Sequence, residues 1–345
     1  MSYDQNTRYK KIKSFLDKQN FNGFTDKDLF IMSIIKKGWG HDIAALSNMA
    51  EALSNIAIRE GDRIEECRRL LRSVIKRAVH PKVNPYKKNI REVTDLGKFG
   101  YYLEHLNIIL GSYRMISDDD IGIKLNKRIS HHLVDNSMRY DNYHADLLPH
   151  VKMKWSADQA AILYSIWLYD QNSSDNISAP LIDKWIEYME TQGTHKTGLY
   201  KTEVLGTRKY SSHPRGCSMS YLIHYMARFA PELARDKWNI YKKHMLKNVL
   251  SYCGFREYLE DYNGSWSPDS GPIIMGIGVA ASGLGLNAAS TIGDVDTYKK
   301  LEKSMSPFIS MLSTTESYIG SNMLTRVGTD LLASSIWLNA ESKVN

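Results

Sequence analysis

The chain has 345 residues, with 45 Lys+Arg against 38 Asp+Glu and a formal net charge of +7. Hydrophobic residues make up 43% and charged residues 24%, which excludes a disordered, collagenous or disulfide-rich chain. The positive excess is interleaved with acidic residues and forms no basic stripe, so a nucleic-acid partner is not expected.

The opening residues Met1 to Arg8 lack the basic start and apolar run of a signal peptide, and cytoplasmic residence is the default expectation. The segment 1–40 is expected to be a helical piece packing on the main body. Asp42 reads as an N-cap for a helix carrying Ile43, Leu46, Met49, Leu53 and Ile56, closed by Gly61. Cys67, Leu71, Val74, Ile75 and Ala78 mark the next helix, stopped by Pro81. Phe99, Tyr102, Leu103, Leu106, Leu110 and Tyr113 give a third apolar stripe, and Ser156 reads as the cap of a fourth helix ending near Tyr169. Further helices are predicted near 181–190, 218–229, 233–252, 273–290, 294–304 and 321–339. The stretch from Gly198 to Leu205 reads as a short strand.

The helices differ in character. Those at 62–78, 233–252 and 294–304 are amphipathic and charged, whereas 156–169, 273–290 and 321–339 are apolar nearly all round and must be buried on every side. Alternating outer and inner helices predict an all-α chain of a single domain, an (α/α)6 toroid spanning 1–345. The uncharged run from Pro272 to Gly293 is long enough to span a bilayer. Its many Gly, Ser, Asn and Thr residues make it a buried helix instead, and no membrane span is expected.

Cys67, Cys217 and Cys253 are far apart and without CxxC spacing, which argues against disulfides or a cysteine zinc site. His144 and His150 lack the i,i+4 spacing of a helical zinc pair, so no metal is expected. Gly276-Ile277-Gly278-Val279-Ala280-Ala281 mimics a dinucleotide fingerprint but has no strand–helix–strand unit around it.

Four polar, aromatic segments stand out as loops or helix starts that one rim of a toroid would gather. In Gly100 to Asn107, Tyr101 and His105 share a stripe at the edge of the core, where His105 either faces a cavity or is a hydrogen-bonded structural histidine. Tyr101 and Tyr102 are the substrate contacts expected from this segment. Between His144 and Gln159, Trp155 is a candidate platform. Asp158, in the first turn of an apolar helix, is either a cap or an acid with a raised pKa. In Arg208 to Ser218, Arg215 could clamp an anionic group, and Cys217 at a helix start could have a lowered pKa. Between Arg256 and Pro272, Glu257, Asp261 and Asp269 stand among Tyr262 and Trp266, a set suited to acid/base work on a sugar-like ligand.

The order of these pieces resembles the linalool dehydratase/isomerase family over about residues 98–338. The resemblance rests on Tyr102-Leu103-Glu104-His105-Leu106-Asn107-Ile108-Ile109-Leu110-Gly111, on Ser165-Ile166-Trp167-Leu168-Tyr169-Asp170, and on the small-residue helix after Gly276 ending Gly293-Asp294. It implies an (α/α)6 barrel, no organic cofactor, addition or removal of water with isomerisation of an allylic alcohol, and an active-site role for His105. The family's cysteines have no counterpart between Pro149 and Asp158, where Asp158 takes one such place, and Cys217 stands near a family tyrosine.

The leading expectation is therefore a cofactor-independent lyase or isomerase of hydro-lyase type. It uses His105 and Asp158 as proton carriers, with Asp269 and Glu257 assisting, and acts on a small molecule in a central cavity. The alternative is a carbohydrate-active enzyme, a glycoside hydrolase or polysaccharide lyase. There Asp158 and a carboxylate of the 257–269 loop form the acid/base pair, and Trp155 and Trp266 are sugar platforms. A non-catalytic scaffold is the third reading. Assembly into a homo-oligomer is left open.

Overall fold

The computed structural model describes residues 6–29, 40–204, 213–262, 264, 267, 269–314 and 330–344. Six described helices form an inner ring: α2 (His41–Arg59), α4 (Gly100–Arg114), α6 (Ser156–Gln171), α8 (Gly216–Phe229), α10 (Val279–Ile292) and α12 (Leu331–Glu341). Each packs on the next, and α12 packs back on α2, which closes the ring. Six more lie outside it: α1 (Thr7–Leu16), α3 (Ile64–Ala78), α5 (Ile123–Met138), α7 (Ala179–Thr191), α9 (Pro231–Met245) and α11 (Val295–Thr314). Inner and outer helices alternate along the chain, so all inner helices run the same way. The architecture is an all-α (α/α)6 barrel.

The sequence dictates which helix goes where. In α3 the buried residues Cys67, Leu70, Leu71, Val74, Ile75 and Ala78 occupy one stripe, and of the charged residues only Arg77 is buried with them. In α6 every residue from Gln159 to Ile166 is buried. A Leu or Ile moved from water into such a core contributes about 1.5–3 kcal/mol, so a helix apolar all round is driven to the inner ring.

The N-terminal helix is one of the outer six. Asn6 caps it by accepting from the N–H groups of Arg8 and Tyr9, and α1 packs between α12 and α3. Arg8 reaches Glu341 at 2.5 Å, and Leu331 N–H donates to Asp28 O at 2.9 Å, so the two ends of the chain close the ring together.

Several predicted boundaries shift. The Asp42 helix starts at His41 with Gly40 as its N-cap; Asp42 instead accepts from Ile43 N–H. The helix predicted over 233–252 stops at Met245, because the chain turns into a hairpin of β1 (Leu246–Val249) and β2 (Tyr252–Phe255). The one predicted over 273–290 begins only at Val279, after a second small hairpin of β3 (Ile273–Ile274) and β4 (Ile277–Gly278) turning at Met275 and Gly276. The false dinucleotide motif thus lies in an antiparallel turn. The 198–205 strand reduces to isolated bridges at Tyr200 and Glu203. Helix α5 has only Leu125, Ile129 and Leu133 as a sparse i,i+4 stripe and escapes the periodicity reading. Among the described residues no helix is long and apolar enough to cross a membrane.

Candidate active site

Because the inner helices are parallel, the chain enters all of them at one end of the barrel, the rim. The connections there are long: 79–99, 139–155, 192–215 and 246–278. At the other end, the base, the links are much shorter; Ala230 alone joins α8 to α9. The four unusual segments make backbone contacts at the rim in two pairs, 100–107 with 144–159 and 208–218 with 256–272. Gly100 and Tyr101 N–H donate to Asp146 O and Leu147 O. Trp155 bridges Glu203, Arg215 bridges Tyr258, and Arg256 bridges Ile277. Two inner helices start on glycine because a loop crosses their first turn: an added Cβ would lie 2.4 Å from Asp146 O at Gly100 and 2.0 Å from Arg256 O at Gly216.

Asp158 sits in the first turn of α6 and is partly exposed at the rim. Desolvation and the neighbouring Asp269 carboxylate push its pKa up to about 7. Its charge is also felt by Tyr101 and by Glu104, whose acidity is strongly suppressed by complete burial and then by Asp158. Glu104 Oε2 is buried without a hydrogen-bond partner, while Oε1 lies 3.4 Å from the Tyr221 hydroxyl, so the protonated acid is the favoured state. His41 also faces Asp269, and its buried Nδ1 has no hydrogen-bond partner.

His105 lies beneath this layer and is fully buried. Ser47 Oγ donates to Ala44 O at 3.0 Å, so it accepts from His105 Nδ1–H at 2.7 Å; this leaves Nε2 to accept from Tyr221 OH at 3.3 Å. Burial lowers the His105 pKa to about 3, and the ring is neutral at physiological pH.

On the other side of the opening, Arg215 and Glu257 are partners. Arg215 Nε donates to Glu257 Oε1 at 2.8 Å, and Nη2 donates to Ser267 Oγ at 2.8 Å. Cys217 donates to the same carboxylate from its N–H at 3.2 Å and its Sγ at 3.1 Å. The thiol pKa is therefore raised well above the usual value, by burial and by the Glu257 charge, opposite to the lowering expected from a helix start. Arg215 is likewise already clamped to an acid.

The remaining predicted residues separate. Trp155 donates from Nε1 to Glu203 Oε1 at 3.2 Å and stays partly exposed at the rim. Tyr262 stacks on His213 at 4.4 Å. Tyr102 points away from the opening, its hydroxyl donating to Ala78 O of α3 at 3.1 Å. Trp266 lies outside the described residues. His144 is a buried structural histidine whose Nε2 accepts from Trp185 Nε1 at 3.3 Å. Among the described residues no cluster of three or more His, Cys, Asp and Glu could hold a metal ion. Sequence reasoning missed Glu104, Tyr221 and His41. The one available signal was an ionisable Glu104 next to His105 in a largely apolar inner helix.

Neither a protein-family model nor a curated protein sequence matches the chain. Solved structures do. A family 76 glycoside hydrolase from a bovine Bacteroides thetaiotaomicron strain superposes with TM-score 0.54 at 13% identity, over 88% of this chain and 70% of that one. The GH76A alpha-1,6-mannanase from Salegentibacter sp. HEL1_6 gives 0.52 at 10%, over 87% and 88%. An inactive variant of that mannanase with two consecutive aspartates replaced, in complex with alpha-1,6-mannotetrose, gives 0.52 at 11%, over 88% and 89%. These neighbours share the (α/α)6 barrel. The expected kinship with the linalool dehydratase/isomerase family finds no support beyond that common fold.

Proposed function

We propose that the protein is a carbohydrate-active enzyme, a glycoside hydrolase working by acid/base catalysis at the rim of the barrel. The observation that carries this reading is Asp158. Its pKa near 7 leaves it substantially protonated at neutral pH, with the Asp269 carboxylate close enough to sustain that shift. Glycoside cleavage needs one carboxyl group that gives a proton to the leaving oxygen and a second, ionised one that activates water or attacks the sugar. Asp158 takes the first role and Asp269 the second. Glu257, whose pKa is raised by burial despite its contacts to Arg215 and Cys217, is read here as a positioning residue for the α8 start. Trp155 offers a partly exposed ring as a sugar platform, with Tyr101 on the opposite segment.

The similarity to two mannanase structures supports this reading over the lyase/isomerase one, and alpha-1,6-linked mannosides are the first substrate class to test. This chain carries no consecutive aspartates at the rim: the only adjacent aspartates in the sequence are Asp118, Asp119 and Asp120, in the α4–α5 link at the base. The acid and base here come from two different segments. A proton-shuttling His105 is disfavoured, since both of its ring nitrogens are engaged and its basicity is suppressed.

The test is hydrolysis of alpha-1,6-manno-oligosaccharides and a panel of other glycosides, read by product release. Asp158→Asn and Asp269→Asn are each expected to lower kcat by about 10²–10⁴ with the far-ultraviolet circular dichroism unchanged. Wild-type activity should fall as pH rises through about 7, because Asp158 then loses the proton it must donate. Folded variants as active as wild type, or a rate that stays flat from pH 6 to 8.5, would remove Asp158 as the acid.

A further inference from the structure

The base of the barrel holds a cavity of about 290 Å³ where the C-terminal ends of α2, α8, α10 and α12 converge. Asn55, Ile58, Arg228, Thr291, Ser342 and Lys343 line it. Two basic side chains, Arg228 of α8 and Lys343 just past the end of α12, therefore face one small space. Burial first, and then the charge of Arg228, holds the Lys343 amine well below its usual pKa, so an anion placed between the two would favour its charged form.

Cations at helix C-termini have a simple explanation, since they complement the partial negative charge there. That explanation fits Lys343 only in part and fits Arg228 poorly. A cation that caps carbonyls should donate to them, and Arg228 makes no hydrogen bond or ion pair among the described residues; its Nε is buried without an acceptor. Lys343 spends one proton on Asn287 Oδ1 at 2.7 Å and keeps two. The hydroxyls around them are already committed: Thr291 donates to Asn287 O, and Ser342 donates to Asn339 O. The fixed counter-charge is the single Glu51 carboxylate, which is hydrogen-bonded to Asn339 Nδ2 at 3.0 Å and lies 3.5 Å from His224 Nε2. One carboxylate faces a guanidinium and an amine that both keep donors unused, Arg228 Nε and two of the three on Lys343 Nζ.

We propose that this cavity is an anion site that holds a phosphate group, free or as a monoester, between Arg228 and Lys343. A guanidinium presents a planar fork of donors to two phosphate oxygens, and an ammonium supplies a compact point charge to a third. The site lies at the opposite end of the barrel from Asp158 and does not depend on what the rim catalyses.

The probes are inorganic phosphate and glycerol 3-phosphate. Each is titrated into the full chain by calorimetry and by thermal unfolding, against chloride at matched ionic strength. Saturable binding by wild type, weakened at least tenfold in Arg228→Gln, is the expected result. Ile58 is 57% exposed at the cavity wall, so Ile58→Glu adds a repelling charge without disturbing the core. That variant should fold with a midpoint in chloride no lower than wild type and also bind at least tenfold more weakly. It keeps the test intact if Arg228→Gln fails to fold. Comparable affinities identify the free anion as sufficient, whereas tighter binding of the monoester identifies an esterified ligand; both uphold the site. No response beyond chloride, or equal binding by wild type and Ile58→Glu, overturns it.

Discussion

The lumen contains two buried glutamate–histidine pairs of similar geometry and opposite electrostatics. Near the rim, Glu104 Oε1 lies 3.7 Å from His105 Nε2; toward the base, Glu51 Oε2 lies 3.5 Å from His224 Nε2. The pKa of Glu104 is driven well up, whereas that of Glu51 is drawn down to about 2. The residue types are the same, so the difference lies in their surroundings. Glu51 is drawn down first by its pairing with His224, then by Lys343 and Arg228, and has Asn339 as a donor. Glu104 has a second acid, Asp158, and one long contact of 3.4 Å with the Tyr221 hydroxyl. Burial penalises both carboxylates, and only the base supplies the charge that outweighs it. The base is thus organised for stability, and the rim keeps carboxyl groups in a costly environment, the pattern expected where protons are to be moved.

The largest effect that can break this comparison is the removal of Glu51. Glu51→Gln leaves Lys343 and Arg228 facing each other with no buried anion, and should cost about 3–5 kcal/mol in urea unfolding at pH 7. Glu104→Gln, the same change one layer higher, should be neutral or stabilising, because it replaces an acid that already favours its neutral form. Equal losses from the two variants would erase the distinction between rim and base. The pH dependence has a definite sign. The folded-state pKa of Glu51 lies below its unfolded value of 4.5, so its contribution is complete above that value and is lost as pH falls from 4.5 toward about 2.

The next effect is steric. Gly216→Ala would place a methyl group 2.0 Å from Arg256 O, and the first turn of α8 cannot retreat without disturbing the Cys217 and Arg215 contacts to Glu257. A loss of about 1–3 kcal/mol is expected. Gly61→Ala, in the α2–α3 link at the base where an added Cβ meets nothing within 4 Å, should cost much less. A smaller shift of opposite direction is expected at Asp158. Its folded-state pKa is raised from 3.8 to about 7, so ionisation makes a stability contribution disappear as pH rises between those values. Asp158→Asn should therefore stabilise the protein by about 1–2 kcal/mol at pH 8, discounted for its partial exposure, and by almost nothing at pH 4. A thermal-melt series over pH reads both numbers.

These effects also show how far the sequence carries. Helix character was legible because burial imposes period and composition: the all-round apolar segments read at 156–169 and 273–290 are inner helices, the second from Val279 onward. Toroidal closure followed from their alternation with amphipathic ones. The rim was legible as segments, since loops that must cross one another leave Gly100, Gly216, polar residues and aromatics at helix starts. What could not be read was partnership. Arg215 and Cys217 looked like free reactive groups because the sequence does not reveal that Glu257, 40 positions beyond Cys217, hydrogen-bonds to both. The two hairpins after Met245 and Pro272 were lost for a related reason. Their residues carry helical spacing, and only tertiary pairing across the rim fixes them as strands.

Tyr101 and Tyr102 give the finest test of the same comparison. They are adjacent in sequence and face different worlds. Tyr102 is 5% exposed and bonds α3, whereas Tyr101 is partly exposed, packs edge-on against His105 at 4.9 Å and lies in the field of Asp158 and Asp269. Removing one hydroxyl from each separates structure from function. Tyr102→Phe leaves the Ala78 carbonyl without that donor and should cost about 0.5–1.5 kcal/mol in unfolding while kcat stays within twofold. Tyr101→Phe should leave the unfolding midpoint nearly unchanged and alter KM or kcat on whatever glycoside the wild type cleaves. If Tyr102→Phe instead changes KM at constant stability, the rim extends toward α3 and the opening is wider than these contacts define.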